Sequence, residues 1–194
     1  YSLYLNYGMK IKKTDIYTDF FVYTNGSRYV NFVNNLKTIS NNQSAGIEFR
    51  IGKSKEEKYD LSITANFREN FSTSNINTGK NNFLSQEHGA QANINLTKKI
   101  ILGSDMNFYH RQKVDAFDKN TSLTVWNTYL SYKLFKKNNG VIKLEVNDIL
   151  KQRRGYDRSY SSNKLYERNY NMLGQYALLS FTWNFTKTPG TTTK

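Results

Sequence analysis

The sequence predicts an all-β protein, an antiparallel up-and-down transmembrane β-barrel of about nine strands that form part of a larger barrel. The first observation is that apolar and polar residues alternate with a period of two along most of the 194 residues. The second is that short and longer connections alternate between the strands. The third is a mean hydropathy of −0.72 without a long apolar run, which excludes a transmembrane helix but suits alternating barrel strands.

The first half of the chain contains four predicted strands, at 1–11, 15–33, 36–53 and 58–72. In the first, third and fourth, one side is apolar and the other polar, as in a half-buried strand. These apolar sides consist of Leu3, Leu5, Tyr7 and Met9, then Ala45, Ile47, Phe49 and Ile51, and then Tyr59, Leu61, Ile63, Ala65 and Phe67. The second strand is ambiguous, because aromatic and aliphatic residues are contiguous over 20–23.

The second half contains five predicted strands, at 83–97, 100–114, 121–135, 140–150 and 165–185. Alternation is clear in three of them, whose apolar sides consist of Ala90, Ala92, Ile94 and Leu96, then Ile142, Leu144 and Val146, and then Leu173, Ala177, Leu179, Phe181, Trp183 and Phe185. The strands at 100–114 and 121–135 are noisier. Several segments alternate over about the 9–11 residues that a tilted transmembrane strand needs.

The connections are predicted to sort by length between the two ends of the barrel. Short ones fall at 12–14, 54–57, 97–99 and 136–139, and longer or more irregular ones at 34–35, 72–82, 115–120 and 151–164. Short periplasmic turns and longer extracellular loops are typical of a transmembrane barrel. A soluble sandwich has no reason to sort its connections in this way.

The net charge of +13, from 28 Lys plus Arg against 15 Asp plus Glu, raises the question of a nucleic-acid partner. The lysines do not form one stripe, however, but cluster between alternating segments. These clusters are Lys10, Lys12 and Lys13; Lys53, Lys55 and Lys58; Lys98 and Lys99; and Lys136 and Lys137. We interpret them as solvated turn charges and expect no nucleic-acid partner.

The chain offers little chemistry for an enzyme. It has no cysteine, which excludes disulfides and cysteine-based zinc sites. The two histidines, His88 and His110, are far apart and lack ligand-like neighbours. Asp105, Asn107 and Arg111 fall on the polar side of their strand and predict a polar network in a lumen. We therefore expect no enzyme activity, no catalytic residue, no metal and no cofactor.

The last long loop is the candidate for ligand binding. Forked guanidinium hydrogen bonds and tyrosine rings suit anionic or sugar-like groups. The predicted ligand-binding residues, placed on an extracellular loop, are Arg153, Arg154, Tyr156, Arg158, Tyr160 and Arg168. Attraction to lipopolysaccharide phosphates and ordinary loop packing are the alternatives.

Two segments near the end, 146–156 and 166–176, together with 39–48 upstream, carry a resemblance to a known family. They resemble the Bacteroidetes outer-membrane β-barrel family related to TonB-dependent receptors, most specifically over the final fifty residues. The last strand ends in alternating Phe181, Trp183 and Phe185, similar to the C-terminal signal that the barrel-assembly machinery recognises.

The resemblance implies the outer membrane of a Gram-negative bacterium, contact with its lipid and lipopolysaccharide, and nutrient uptake. It also implies TonB coupling through a plug domain that this chain does not contain, and a ligand that the sequence does not name. We expect residues 1–185 to be the C-terminal strands of such a barrel and 186–194 a flexible tail, because an odd strand count suggests a truncated barrel. The alternatives are a complete eight- or ten-stranded barrel with a structural or adhesive role, and a soluble β-domain that binds acidic partners.

Overall fold

The structure, a computed structural model, describes residues 1–76, 82–114, 119–161 and 164–185. For residues 33, 156–161, 164, 165, 167 and 169 only the backbone is described. The predicted tail, 186–194, lies outside the described residues. None of the described residues forms a helix that is long and apolar enough to span a membrane.

The described residues form eleven strands in two sheets. In chain order the strands are β1 (Ser2–Lys10), β2 (Ile16–Val33), β3 (Leu36–Lys55), β4 (Tyr59–Ser74), β5 (Phe83–Asn95), β6 (Ile100–Arg111), β7 (Thr121–Leu134), β8 (Gly140–Asn147), β9 (Gly155–Ser161), β10 (Lys164–Tyr170) and β11 (Tyr176–Trp183).

Nine of these strands form one antiparallel sheet in the order β1-β2-β3-β4-β5-β6-β7-β8-β11. Each strand pairs with the one before it in this order, so the sheet is up-and-down throughout. Strands β9 and β10 form a separate two-stranded hairpin between β8 and β11. The prediction of an all-β, up-and-down sheet of nine strands is confirmed.

The predicted last strand, 165–185, is wrong as a single element. Residues 164–170 belong to β10 and pair with β9, whereas β11 begins at Tyr176 and pairs with β8, where Tyr176 lies opposite Asn147. The chain therefore leaves one sheet and enters another between Tyr170 and Tyr176. The predicted loop 151–164 is also not a loop throughout, because it contains β9, the partner of β10.

The predicted longer or irregular connection at 34–35 is also wrong. Asn34 and Asn35 form a two-residue turn between β2 and β3, with φ values of 49° and 62°. Two consecutive left-handed residues match the twist of a hairpin, and asparagine adopts this conformation more readily than most side chains.

The sheet has two ends, which we call the turn rim and the loop rim. The turn rim carries the short connections 11–15, 56–58, 96–99 and 135–139. The loop rim carries 34–35 and the longer connections 75–82, 112–120 and 148–175. Apart from the tight Asn34–Asn35 turn, the predicted sorting by length is confirmed.

The strand registers define an apolar face and a polar face of the sheet. The apolar face contains an unbroken row of apolar side chains that crosses six neighbouring strands from β4 to β11. This row consists of Tyr59, Ile94, Leu102, Leu130, Leu144 and Leu179. A second apolar row lies four residues further toward the loop rim along each strand and consists of Ile51, Ile63, Ala90, Met106 and Trp126. The row between them contains the polar residues Ser104 and Thr128.

The apolar face is the exposed one. Ile63 is 61% exposed and Leu179 70% exposed, although both are large aliphatic residues. By contrast, every buried residue of β2–β7 whose side chain is described lies on the polar face: Tyr23, Thr38, Ser40, Gly46, Gly52, Gly103, Val125 and Ser131. This is the opposite of the usual arrangement, in which the apolar side of a sheet is covered.

Two polar side chains on the apolar face have hydrogen-bond partners within the sheet. The Trp126 Nε1–H donates to Ser104 Oγ at 2.8 Å, and the Thr128 hydroxyl donates to the Gly103 carbonyl at 2.9 Å. These bonds within the sheet satisfy the two side chains without solvent.

Candidate functional site

The polar face carries a hydrogen-bonded network that joins β2, β3 and β4. The Tyr23 hydroxyl donates to Asn66 Oδ1 at 3.2 Å, and the Asn66 amide donates to Glu48 Oε2 at 2.9 Å. Arg68 Nε donates to the Tyr23 hydroxyl at 2.8 Å. The polar side chains of these neighbouring strands therefore share one face of the sheet and bond to one another.

A second network lies on the polar face of β6–β8. The Asn127 amide donates to Asp105 Oδ2 at 2.8 Å, and Lys143 forms an ion pair with Glu145. The Lys143 ammonium also lies 4.3 Å from the centroid of the Tyr129 ring. The polar face is therefore an ordered surface rather than a set of independently solvated side chains.

An acidic cleft of about 570 Å³ lies on the polar face across β2–β6. Its charged lining consists of Glu48, Asp60, Glu87 and Asp105, with Arg50 as the basic residue. Arg50 Nε donates to Thr64 Oγ1 at 3.3 Å in the same cleft. This part of the polar face is strongly negative even though the chain as a whole has a net charge of +13.

A second cleft, which we call the arginine cleft, lies beside it toward the loop rim and has a volume of about 410 Å³. Arg68, Arg111 and Arg154 line it together with Tyr109 and one carboxylate, Glu87. It is thus a basic site next to an acidic one, and Glu87 lies at the boundary between the two.

The strand registers build the arginine cleft. Arg68 on β4 lies opposite Ser85 on β5, and Ser85 lies opposite Arg111 on β6. The two arginines therefore occupy one row, two strands apart, which corresponds to about 10 Å between their Cα atoms. Tyr109 and Glu87 form the next row toward the turn rim.

Aromatic rings hold two of the guanidinium groups. The Arg68 Cζ lies 5.2 Å from the centroid of the Tyr23 ring, and the Arg111 Cζ lies 4.2 Å from that of Phe83. Stacking of a planar guanidinium on a ring fixes its orientation. Both groups are therefore pre-oriented in the cleft.

Arg154 reaches the cleft because the segment after β8 is tied to β7. Asp148 is fully buried and has a φ of 53°. Its carboxylate accepts the backbone N–H groups of Gln152 and Arg153, both at 3.0 Å. The Gln152 side chain in turn accepts the N–H of Thr124 on β7 at 3.1 Å.

The structure describes the side chains of three predicted ligand-binding residues, and these three lie in different surroundings. Arg154 lines the arginine cleft. Arg153 is half-buried in the Asp148 turn, and the Arg168 guanidinium lies 5.1 Å from the centroid of the Tyr170 ring in the β9–β10 hairpin. The side chains of the other three, Tyr156, Arg158 and Tyr160, lie outside the described part of the structure.

Sequence reasoning missed Arg68 and Tyr109 as members of the site. Alternation places Arg68 and Arg111 on polar sides, but only the registers bring them into one row. One signal was available in the sequence: Arg68 and Tyr109 both alternate with the apolar residues of their strands, which places their side chains on the polar face.

By strand parity the two histidines belong to the apolar face, although His110, between Tyr109 and Arg111, also borders the arginine cleft. His88 stacks between Phe67 and Phe108, at centroid distances of 5.1 and 6.0 Å, and His110 bonds the Ser122 hydroxyl at 2.8 Å. Within the described parts of the chain, no group of three or more acidic or histidine side chains is arranged to hold a metal ion.

The predicted assembly residues lie at the edge strand and just beyond it. Phe181 and Trp183 belong to the apolar face of β11, and both are 57% exposed. Trp183 contacts the rings of Phe135 and Phe185, at centroid distances of 6.3 and 5.7 Å. These residues form an exposed aromatic group at the turn rim.

The fold and these clefts define an all-β protein whose nine-stranded up-and-down sheet has an ordered polar face and an exposed apolar face. No protein family, curated protein or solved structure matches the chain.

Proposed function

We propose that this chain forms part of the wall of an outer-membrane β-barrel that takes up a nutrient and is related to TonB-dependent receptors. The apolar face contacts lipid, the polar face lines the passage, and the loop rim faces the exterior of a Gram-negative cell. Any energy coupling through TonB requires a plug domain outside this chain. The receptor relationship rests on the sequence resemblance described above.

The observation that carries the proposal is the exposed apolar face. One continuous apolar row crosses β4–β8 and β11 and a second crosses β3–β7, while the buried positions of β2–β7 face the opposite side. A contiguous apolar surface of this extent needs a cover, and a bilayer supplies one along the whole sheet. The internally bonded Trp126 and Thr128 side chains fit the same environment.

The strand directions favour a barrel that contains further strands. β1 and β11 are the two edges of the sheet, and both run from the loop rim to the turn rim. Joining them directly would create a parallel pair in an otherwise antiparallel barrel. An odd number of further strands between them would keep every pair antiparallel, give an even total and leave no edge open to lipid.

Fluorescence quenching of the two tryptophans tests the proposal directly, because Trp126 and Trp183 both lie on the apolar face. We expect strong quenching when the full chain is reconstituted into phosphatidylcholine vesicles with brominated acyl chains, and weak quenching by aqueous acrylamide. Trp126→Phe and Trp183→Phe leave one tryptophan each, and Trp126 should report the deeper position.

The opposite result would overturn the membrane assignment. If brominated lipid leaves the emission unchanged while acrylamide quenches it, the apolar face does not contact lipid. A soluble β-domain, in which another protein layer covers the apolar face, would then be the better explanation.

A further inference from the structure

We propose that the arginine cleft binds a soluble anionic solute that carries phosphate or carboxylate groups. This inference deepens the proposed function, on which it rests for the direction of approach from the loop rim. It names the chemical class of the ligand and assigns the binding to Arg68, Arg111 and Arg154.

The balance of charge in the cleft supports an anion. Among the residues that the structure describes, three guanidinium groups and the Tyr109 side chain line the space, against the carboxylate of Glu87. Guanidinium groups match the oxygen pairs of phosphates and carboxylates with two parallel hydrogen bonds, which makes arginine the side chain of choice for such ligands.

The spacing of the arginines suits a ligand with more than one anionic group. Arg68 and Arg111 flank Ser85 in one row, with about 10 Å between their Cα atoms. Arg154 enters from the segment after β8, near Thr121 and Leu123 of β7 in the same cleft. The guanidinium groups therefore approach the cleft from different elements and can contact separate oxygens of one solute.

Pre-orientation lowers the cost of binding. The ring of Tyr23 supports Arg68, and the ring of Phe83 supports Arg111. The Asp148 turn fixes the backbone directly before Arg154. Side chains that are already ordered lose less conformational entropy when they take up a ligand.

The position of the cleft favours a solute over a lipid. It lies on the polar face, whereas lipopolysaccharide acyl chains would lie against the apolar face. The neighbouring acidic cleft, with Glu48, Asp60 and Asp105, repels an anion that moves toward the turn rim. An anion is therefore held at the loop-rim end of the polar face.

Calorimetric titration of the full chain in detergent micelles at low salt tests the assignment, with pyrophosphate and citrate as probes and maltose as a neutral control. We expect at least one anion to bind and maltose not to bind. Arg111→Gln and Arg154→Gln should each weaken anion binding about tenfold, the loss expected for one charge-assisted contact. Arg50→Gln removes the same charge from the same face outside the arginine cleft and should change the affinity less than about twofold.

Three results would overturn the inference: no heat with either anion, equal weakening by Arg50→Gln and Arg154→Gln, or displacement of the bound anion by lipid A. The last result would show that the cleft binds the phosphate groups of lipopolysaccharide rather than a soluble anion. If anion binding fails while brominated lipid still quenches the tryptophans, the proposal of an anionic ligand is wrong and the proposal of a barrel wall stands. Retained binding without lipid quenching would instead remove the membrane assignment.

Discussion

Tyrosine rings lie over glycines at three places on the polar face. Each pair is directly opposite in the register: Tyr17 with Gly52, Tyr23 with Gly46, and Tyr129 with Gly103. A Cβ atom at any of these glycines would overlap the tyrosine ring. Because glycine has no side chain, the tyrosine ring can pack directly on its backbone, which would otherwise be exposed.

Gly103→Ala should therefore destabilise the protein by about 1–3 kcal/mol, the usual cost of overpacking. The Tyr129 ring has little freedom to move, because its hydroxyl donates to Asn93 Oδ1 at 2.8 Å and Lys143 lies over its face. The measurement is the free energy of unfolding in urea, in detergent micelles.

Gly89→Ala is the matched control, because Gly89 lies on the same face and its added Cβ would meet Asn107 Oδ1 at 3.1 Å, the end of a movable side chain. Equal losses for the two alanine variants would show that the tyrosine contact does not limit the space at Gly103.

At the scale of the strands, pairing settles what alternation left open. The contiguous run in β2 is divided by the register, which sets Phe20 opposite Phe49 and Val22 opposite Ile47 on the apolar face. Phe21 and Tyr23 therefore face the polar side. A run of four large residues contains no period, so only a neighbouring strand determines which of them face outward.

Adjacent residues of β4 provide a direct test of the two faces. Ile63→Arg should reduce assembly of the full chain into the outer membrane, because an arginine on a lipid-facing strand costs about 2–4 kcal/mol near the midplane. Thr64→Arg should be tolerated, since Thr64 lines the acidic cleft, whose carboxylates can receive a second guanidinium. The measurement is the amount of protein in the outer-membrane fraction.

Leu179→Arg, on the apolar face of β11, extends the test to the edge strand and should behave like Ile63→Arg. Similar outer-membrane amounts for Ile63→Arg and Thr64→Arg would contradict the assignment of the apolar face to lipid.

Clear alternation was not needed to locate a strand, because β2, β6 and β7, which were ambiguous or noisy, were predicted to within about three residues. Strands β1 to β8 lie within a few residues of their predicted ranges. The error at 165–185 has a different origin, because β10 and β11 both have strand-like sequences. Their separation depends on whether each segment finds its partner in β9 or in β8. The pairing partner of a strand depends on residues far away in the sequence, so the local sequence does not indicate it.

For the whole molecule, the net charge of +13 separates into zones. The turn rim and the strand ends beside it carry the lysine clusters, the acidic cleft carries four carboxylates, and the arginine cleft lies next to the loop rim. The lysines at the turn rim are Lys10, Lys12, Lys13, Lys53, Lys55, Lys58, Lys98, Lys99, Lys136 and Lys137. The sign of the charge therefore alternates from the turn rim to the loop rim, which the overall composition does not show.

The purified full chain should need detergent to remain monomeric. Its exposed apolar rows would otherwise associate in water, since an uncovered surface of this kind drives aggregation or assembly. Light scattering coupled to size exclusion, with detergent above and below its critical micelle concentration, measures the change in mass. A monomer in plain buffer that unfolds cooperatively would contradict the exposed face.

The sequence by itself determined the all-β class, most of the strands, the difference between the two rims and the composition of each face. These features follow from a period of two, which is local and survives in any register. The tertiary structure decided which residues lie side by side: Arg68 with Arg111 across Ser85, Arg154 beside them, and Tyr129 over Gly103. Alternation determines which face of the sheet a side chain is on, whereas register determines which side chains lie next to it. A binding site requires particular side chains to be adjacent, so only the tertiary structure defines it.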